Sequence, residues 1–256
     1  CEFYEVICTP QNYYVAMEKI EGKDLFETIA QERLSSSDAR EILKQTLEAL
    51  RILHCQGRIH KDLKLENIMV TPVSSDGKEG SARKRMGTES PTPTGVGAEV
   101  SPRSAKLIDF DTVQDWEPTS PKAKDVLGTD GYIAPEAYDG EYSPASDIYC
   151  VGVIMYKLLT RRFPHKSEIF DDKPGENIVG HPAMKRIKER LRQEPIDFTR
   201  PPLDQLPVAA DLVSKMLAFE SADRPSAEEA LRHEWFHLTE ELLSPTRRPG
   251  RPGTGR

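Results

Sequence analysis

Two short stretches carry the residue types best suited to chemistry. In "RIHKDLKLENIMV" Asp62, Lys64 and Asn67 fall close together between an expected helix and an expected strand, and in "LIDFDTV" Asp109 closes an apolar run. A carboxylate such as Asp62 accepts the proton of an attacking hydroxyl. Asn67 and Asp109 offer hard oxygen ligands suited to Mg²⁺, which takes few protein ligands and leaves room for phosphates. Lys64 adds a positive charge beside a transferred group. Together these residues suit phosphoryl transfer.

Each residue has a plainer reading when taken singly. Asp62 in a loop is more often a turn or capping residue, and an acid at the start of a helix, such as Asp147, answers the helix dipole. Met17 alone reads as core filler. The acids of "DFDTVQDWE" also imitate the start of a calcium loop. That reading fails, because Val113 and Gln114 stand where an oxygen ligand and the turn glycine are needed, and Ser120 where a bidentate glutamate belongs. The acids of "SEIFDDKPGE" read as a solvated loop.

The elements that must position these groups follow from periodicity and punctuation. The opening "CEFYEVICTPQNYYVAMEKI" gives two β-rich runs broken by Thr9-Pro10-Gln11-Asn12, and "EGKD" reads as a polar link. From Ser35, with a serine run able to cap and Asp38 in the first turn, the residues Ala39, Ile42, Leu43, Leu47, Leu50 and Leu53 recur at helical spacing until Gly57. The apolar runs "ENIMV" and "AKLIDF" bracket 71–104, a Ser, Gly, Pro and Lys/Arg stretch expected to be a disordered insertion in a hairpin. After Ser143-Pro144, "ASDIYCVGVIMYKLLT" is apolar nearly all round and predicts a buried helix. Further helices are predicted in "HPAMKRIKERLRQ", "VAADLVSKMLAF" and "SAEEALRHEWF", before a disordered basic tail over 239–256.

The bulk numbers narrow the setting. A formal net charge of −7 over 256 residues argues against nucleic acid or an anionic membrane as partner. Four cysteines, none at CxxC spacing, imply a reducing, cytoplasmic compartment, with Arg83-Lys84-Arg85 leaving a nuclear address open. No apolar run approaches the ~20 residues of a membrane helix.

The wording of these motifs, in this order, resembles the eukaryotic protein kinase family: a catalytic loop in "HKDLKLEN", a metal motif in "DFD" and the end of an activation segment in "GTDGYIAPE". The resemblance runs from about Glu2 to about Leu238. It implies an α+β, kinase-like fold, mainly a helical large lobe over 21–238, with 1–20 as the end of a β-rich small lobe and the hinge. It implies Asp62 as base with Lys64 beside it, and Asn67 and Asp109 on Mg²⁺. Met17 would guard the ATP pocket, Glu18 to Ile20 would contact adenine and Asp24 the ribose. Asp147 would brace the catalytic loop and Arg224 would pair with Glu136. Lys64 points to serine/threonine acceptors on protein substrates, and "GKDLF" and "RPSAEEALRHEWF" are similar to the calcium/calmodulin-dependent group. An upstream kinase or a calcium sensor are the regulators so implied.

Three departures from the family pattern temper this expectation. Asp111 stands where the family has glycine, and a left-handed backbone there would cost about 1–2 kcal/mol. Lys61 replaces an arginine that grips a phosphate in many members, so phosphorylation at Thr112, Thr119, Ser120 or Thr129 becomes a weaker means of control. No glycine-rich loop or strand lysine precedes Cys1 in this sequence. The competing expectation is therefore a non-catalytic pseudokinase serving as a protein-interaction scaffold.

Overall fold

The computed structural model describes residues 2–72 and 103–239. Strands β1 (Phe3–Cys8) and β2 (Tyr13–Met17) pair antiparallel, Val6 opposite Val15, and the Thr9 amide closes the turn on the Asn12 carbonyl. The chain then passes through a bend at Gly22 to β3 (Lys23–Asp24). There Asp24 caps a helix that the sequence reading missed, α1 (Leu25–Gln31), by accepting the Glu27 amide at 2.7 Å. The signal was present as an Asp followed by the apolar Leu25, Phe26 and Ile29, but seven residues are too few for periodicity to show.

Helix α2 (Ser36–Cys55) starts within the expected serine run, where the structure shows a capping box: the Ser35 hydroxyl accepts from the Asp38 amide and the Asp38 carboxylate takes the Ser35 amide. Its apolar stripe is buried from Ala39 to Leu50. The helix ends at Gly57, whose φ of 69° only glycine adopts without strain. Strand β4 (Arg58–Ile59), the catalytic-loop segment and β5 (Ile68–Pro72) follow, and β5 pairs with β6 (Arg103–Leu107) in the expected hairpin.

The hairpin strands reach further inward than the 71–104 boundary allowed, because Gln45 of α2 brackets β6. Its side chain donates to the Arg103 carbonyl and accepts the Ala105 amide, while Arg103 forks onto Glu32. The remainder of the predicted insertion, and the tail beyond residue 239, lie outside the described residues.

After β7 (Gln114–Asp115), which pairs with β4, and a long irregular segment, α3 (Pro144–Thr160) runs through the middle of the molecule. Most of its side chains are buried, from Ser146 to Tyr156 without a break, as all-round apolarity requires. Around it pack α2, α5 (Pro207–Met216) and Trp235, in one core with the β5–β6 hairpin. A second, smaller core forms where α4 (Pro182–Gln193) meets the irregular segment through Val126, Ile133, Tyr138 and Ile187.

The last predicted helix is shorter than its pattern. It stops as α6 (Ala227–Leu231), and a separate turn, Glu234–His237, carries Trp235 and Phe236 inward together, capped by the His233 ring. Among the described residues no helix is long and apolar enough to cross a membrane.

Candidate active site

Three strands bring the predicted site residues to one end of a small sheet. In the order β3-β5-β6, Asp24 lies opposite Met69 and Ile68 opposite Leu107, so Asn67, just before β5, and Asp109, just beyond β6, share an edge. The Ile108 amide donates to the Asn67 carbonyl at 3.0 Å and ties the two segments together.

Asp62 is the centre of the polar network. One carboxylate oxygen accepts from Lys64 Nζ at 2.7 Å, and the other accepts from the Thr129 hydroxyl at 2.9 Å. Lys64 also reaches the Thr129 oxygen at 3.2 Å. Asn67 is buried and donates its side-chain amide to the Asp62 carbonyl at 2.8 Å, which leaves its carbonyl oxygen as a ligand atom. Thr129 entered the sequence reading only as a phosphorylation candidate. Its role beside Asp62 spans 67 residues and no local pattern could show it.

The loop is held in a strained shape by α3. Asp147 accepts the His60 amide at 2.8 Å and the Lys61 amide at 3.0 Å, and its Oδ2 lies 2.9 Å from His54 Nε2. These bonds flank Lys61, whose φ of 72° is left-handed and costs on the order of 1 kcal/mol or more for a residue with a Cβ. The expected bracing by Asp147 therefore has a specific task, which is to fix this turn. His54 was not foreseen, since its contact arises from α2 crossing α3.

The strain foreseen at Asp111 falls elsewhere. Among the described residues with a Cβ, the left-handed positions are Lys61, Asp109 with φ 61°, and Arg161. Asp111 needs no glycine-like backbone because the reversal is taken two residues earlier, at Asp109. Aspartate tolerates that region better than most residues do. Phe110 then turns back against the buried His60 ring, centroids 5.5 Å apart.

Lys61 does not hang free for a phosphate. It is buried, donates to Gln114 at 3.0 Å and lies 4.3 Å over the Tyr142 ring, and burial pulls its ammonium below the ordinary lysine value. Of the four hydroxyls considered for phosphorylation, Thr112 donates to the His60 carbonyl, Thr129 binds Asp62, Ser120 accepts the Glu117 amide, and Thr119 is exposed.

The residues expected to face a nucleotide run from the end of β2 to the start of α1. Met17 ends β2 with its side chain half in solvent. Glu18 is clasped by Lys106 of β6 at 2.5 Å, and Lys106 together with the Glu2 amide holds its carboxyl below the usual range. Ile20 is partly buried, and Asp24 uses one oxygen as the α1 cap.

Among the described residues no three His, Cys, Asp or Glu side chains converge as a metal cage. The donor set is instead one amide oxygen and one exposed carboxylate, Asn67 and Asp109, which fits a hard cation completed by phosphates and water. Downstream, Glu136 takes a bidentate bond from Arg224 at 2.7 and 2.8 Å. The remaining guanidinium hydrogens go to the carbonyls of Ala218, Ala145 and Phe219.

This geometry agrees with the comparisons. The sequence matches the family model of the protein kinase domain over residues 1–236. Calcium-dependent protein kinase 4 of Plasmodium berghei (strain Anka) is 30% identical over 243 residues, covering 93% of this chain and 38% of that protein. Serine/threonine-protein kinase dkf-1 of Caenorhabditis briggsae is 31% identical over 237 residues, 91% of this chain and 26% of its own length. The delta subunit of calcium/calmodulin-dependent protein kinase type II of Oryctolagus cuniculus is 29% identical over 227 residues, 88% of this chain and 35% of its own. The chain thus spans between 26% and 38% of these relatives. With its catalytic loop, metal-motif strand and Glu136–Arg224 pair assembled on one helical scaffold, the chain belongs to the protein kinase family.

Proposed function

We propose that this chain is the large-lobe portion of a serine/threonine protein kinase that moves the γ-phosphoryl of ATP to protein hydroxyls. Residues 1–20 are the end of its small lobe and its hinge. The observation that carries the reading is the Asp62 carboxylate held between Lys64 and Thr129, with Asn67 on the same turn and Asp109 at the adjoining strand end.

In this reading Asp62 accepts the proton as the acceptor oxygen bonds to phosphorus and the bond to the leaving ADP breaks. Thr129 orients the carboxylate, and Lys64 places its charge beside the transferred group. Asn67 and Asp109 would hold Mg²⁺, which when bound neutralises phosphate charge. Met17, Glu18, Ile20 and Asp24 form the strip along which adenine and ribose would lie. The relatives named for calcium support a calcium-sensing regulator, and an upstream kinase would find Thr119 the accessible hydroxyl.

The test is transfer from radiolabelled ATP to serine and threonine peptides by the full-length protein, with and without Mg²⁺. Asp62→Asn lowers kcat by about 10²–10⁴ with nucleotide binding retained. Transfer that persists unchanged in that variant overturns the assignment. Nucleotide binding with no transfer in the unaltered protein favours the scaffold reading.

A further inference from the structure

Next to the C-terminal end of α4 lies a cavity that none of the residues assigned to phosphoryl transfer lines. It holds about 220 Å³ among Pro135, Tyr149 of α3, Leu191 of α4, and Leu217 and Phe219 just beyond α5. An engineered cavity of about 150 Å³ takes benzene. The space here therefore admits a molecule of one substituted ring or two fused ones.

His165 is the unusual part of its wall. The residue is 8% exposed, and its Nδ1 is sealed without a hydrogen bond. The group left to meet an occupant is Nε2, which also has no partner among the described residues. Burial pulls the ring below its ordinary 6.5 against the charge of Glu194, so at pH 7 it is neutral and carries one proton. A buried N–H without a partner is rarer in folded proteins than a buried acceptor without one. That places the proton on Nε2, as a donor, and leaves Nδ1 as the bare acceptor.

Two charged side chains reach the same cavity, Arg192 and Glu194, and their signs are opposite. Arg192 lies 4.7 Å over the Phe219 ring and 4.0 Å from Glu220, and Glu194 is 3.6 Å from Lys166. These ion pairs are long and partly exposed, so the Glu194 carboxylate keeps acceptor capacity for an occupant. Ser214 is already engaged, donating to the Asp211 carbonyl. The charges on the wall cancel, and a charged occupant would lose its hydration without a net attraction to offset it. A neutral molecule avoids that cost. An amide matches what remains, because its carbonyl accepts where His165 donates and its N–H donates where Glu194 accepts.

We propose that this cavity is a binding site for a neutral aromatic amide of one or two rings, whose carbonyl accepts from His165 Nε2 and whose N–H donates to the Glu194 carboxylate. Its ring packs on Pro135, Leu191 and Phe219. No residue of the site takes part in phosphoryl transfer, so the proposal stands or falls independently of the kinase reading.

The test is titration of the full-length protein, labelled with ¹⁵N-histidine, with benzamide, benzoate and toluene, followed by NMR. The three share one ring; benzoate exchanges the N–H for a negative charge, and toluene lacks both polar groups. Benzamide is expected to bind with a dissociation constant on the order of 1 mM. It binds about five- to tenfold more tightly than either of the others. The His165 ring signal, assigned through its loss in His165→Leu, shows the proton on Nε2 and shifts with benzamide. His165→Leu binds benzamide and toluene alike, and Glu194→Gln narrows the gap between benzamide and benzoate.

Equal affinity for the three molecules in the unaltered protein overturns the proposal, as does a proton found on Nδ1. So does a benzamide preference that survives in His165→Leu, or no benzamide binding up to its solubility limit. Should His165→Leu fail to fold, Ala218→Leu decides, since it puts a larger side chain into the same cavity. Benzamide binding lost in that variant supports the site, and binding unchanged overturns it.

Discussion

Asp62 is held from two sides, and the side that no motif announces is Thr129. Without that hydroxyl one carboxylate oxygen loses its partner, and only the other is held, by Lys64 and a longer 3.5 Å contact from the Asn67 amide. Misplacement of a base by an ångström costs rate more than binding, because ground-state contacts survive it. Thr129→Val is therefore expected to lower kcat on the order of 10–100-fold with KM for ATP little changed. Thr129→Ser restores most of the loss, and steady-state kinetics on a serine peptide would show whether this split holds. Asp109 and Lys61 illustrate the same point in the backbone: both are left-handed, and both lie in segments pinned by bonds from neighbouring elements.

At the scale of elements, α3 does two jobs that its sequence pattern merges. Its apolar length joins the helices into one core, while its first turn presents Asp147 to the catalytic loop. The turn below it depends on the Glu136–Arg224 pair, in which the guanidinium is fully enclosed and every N–H is used. Removing one member leaves a buried charge without its partner. Arg224→Ala is expected to destabilise the fold by about 3–5 kcal/mol. Arg224→Lys recovers only part of this, because an ammonium cannot span both carboxylate oxygens and three carbonyls. Urea unfolding followed by circular dichroism would measure both.

For the whole molecule, two buried histidines make stability depend on pH. Burial pulls both His60 and His165 below the ordinary value of 6.5, outweighing the opposing charges of Asp147 beside His60 and Glu194 beside His165. Below about pH 6.5 the unfolded chain takes up protons on these rings and the folded chain does not, so stability rises with pH in this window. It falls as pH drops from there and levels off beneath the folded-state values. His165→Leu removes one contributor without touching the catalytic loop, so the loss between pH 7.5 and pH 5.5 should be smaller than in the unaltered protein. Denaturant melts at the two pH values provide the check, and an unchanged slope would contradict the assignment.

The parts of this protein legible in the sequence are those specified within a few residues or along one period. The capping serine run at Ser35, the stripe of α2, the glycine end at Gly57, the all-apolar α3 and the β5–β6 hairpin were all written locally, and so were the family's motifs around Asp62, Asp109 and Glu136. Helix α1 and the strands β3, β4 and β7 escaped because two to seven residues hold too little periodicity to stand out. What only the tertiary structure decided is which groups meet across long separations. Thr129 on Asp62, His54 on Asp147 and the strain at Asp109 instead of Asp111 depend on how the core packs. The hydrophobic pattern determines that these elements bury their faces, but it does not say which polar side chains the burial will place within hydrogen-bond reach.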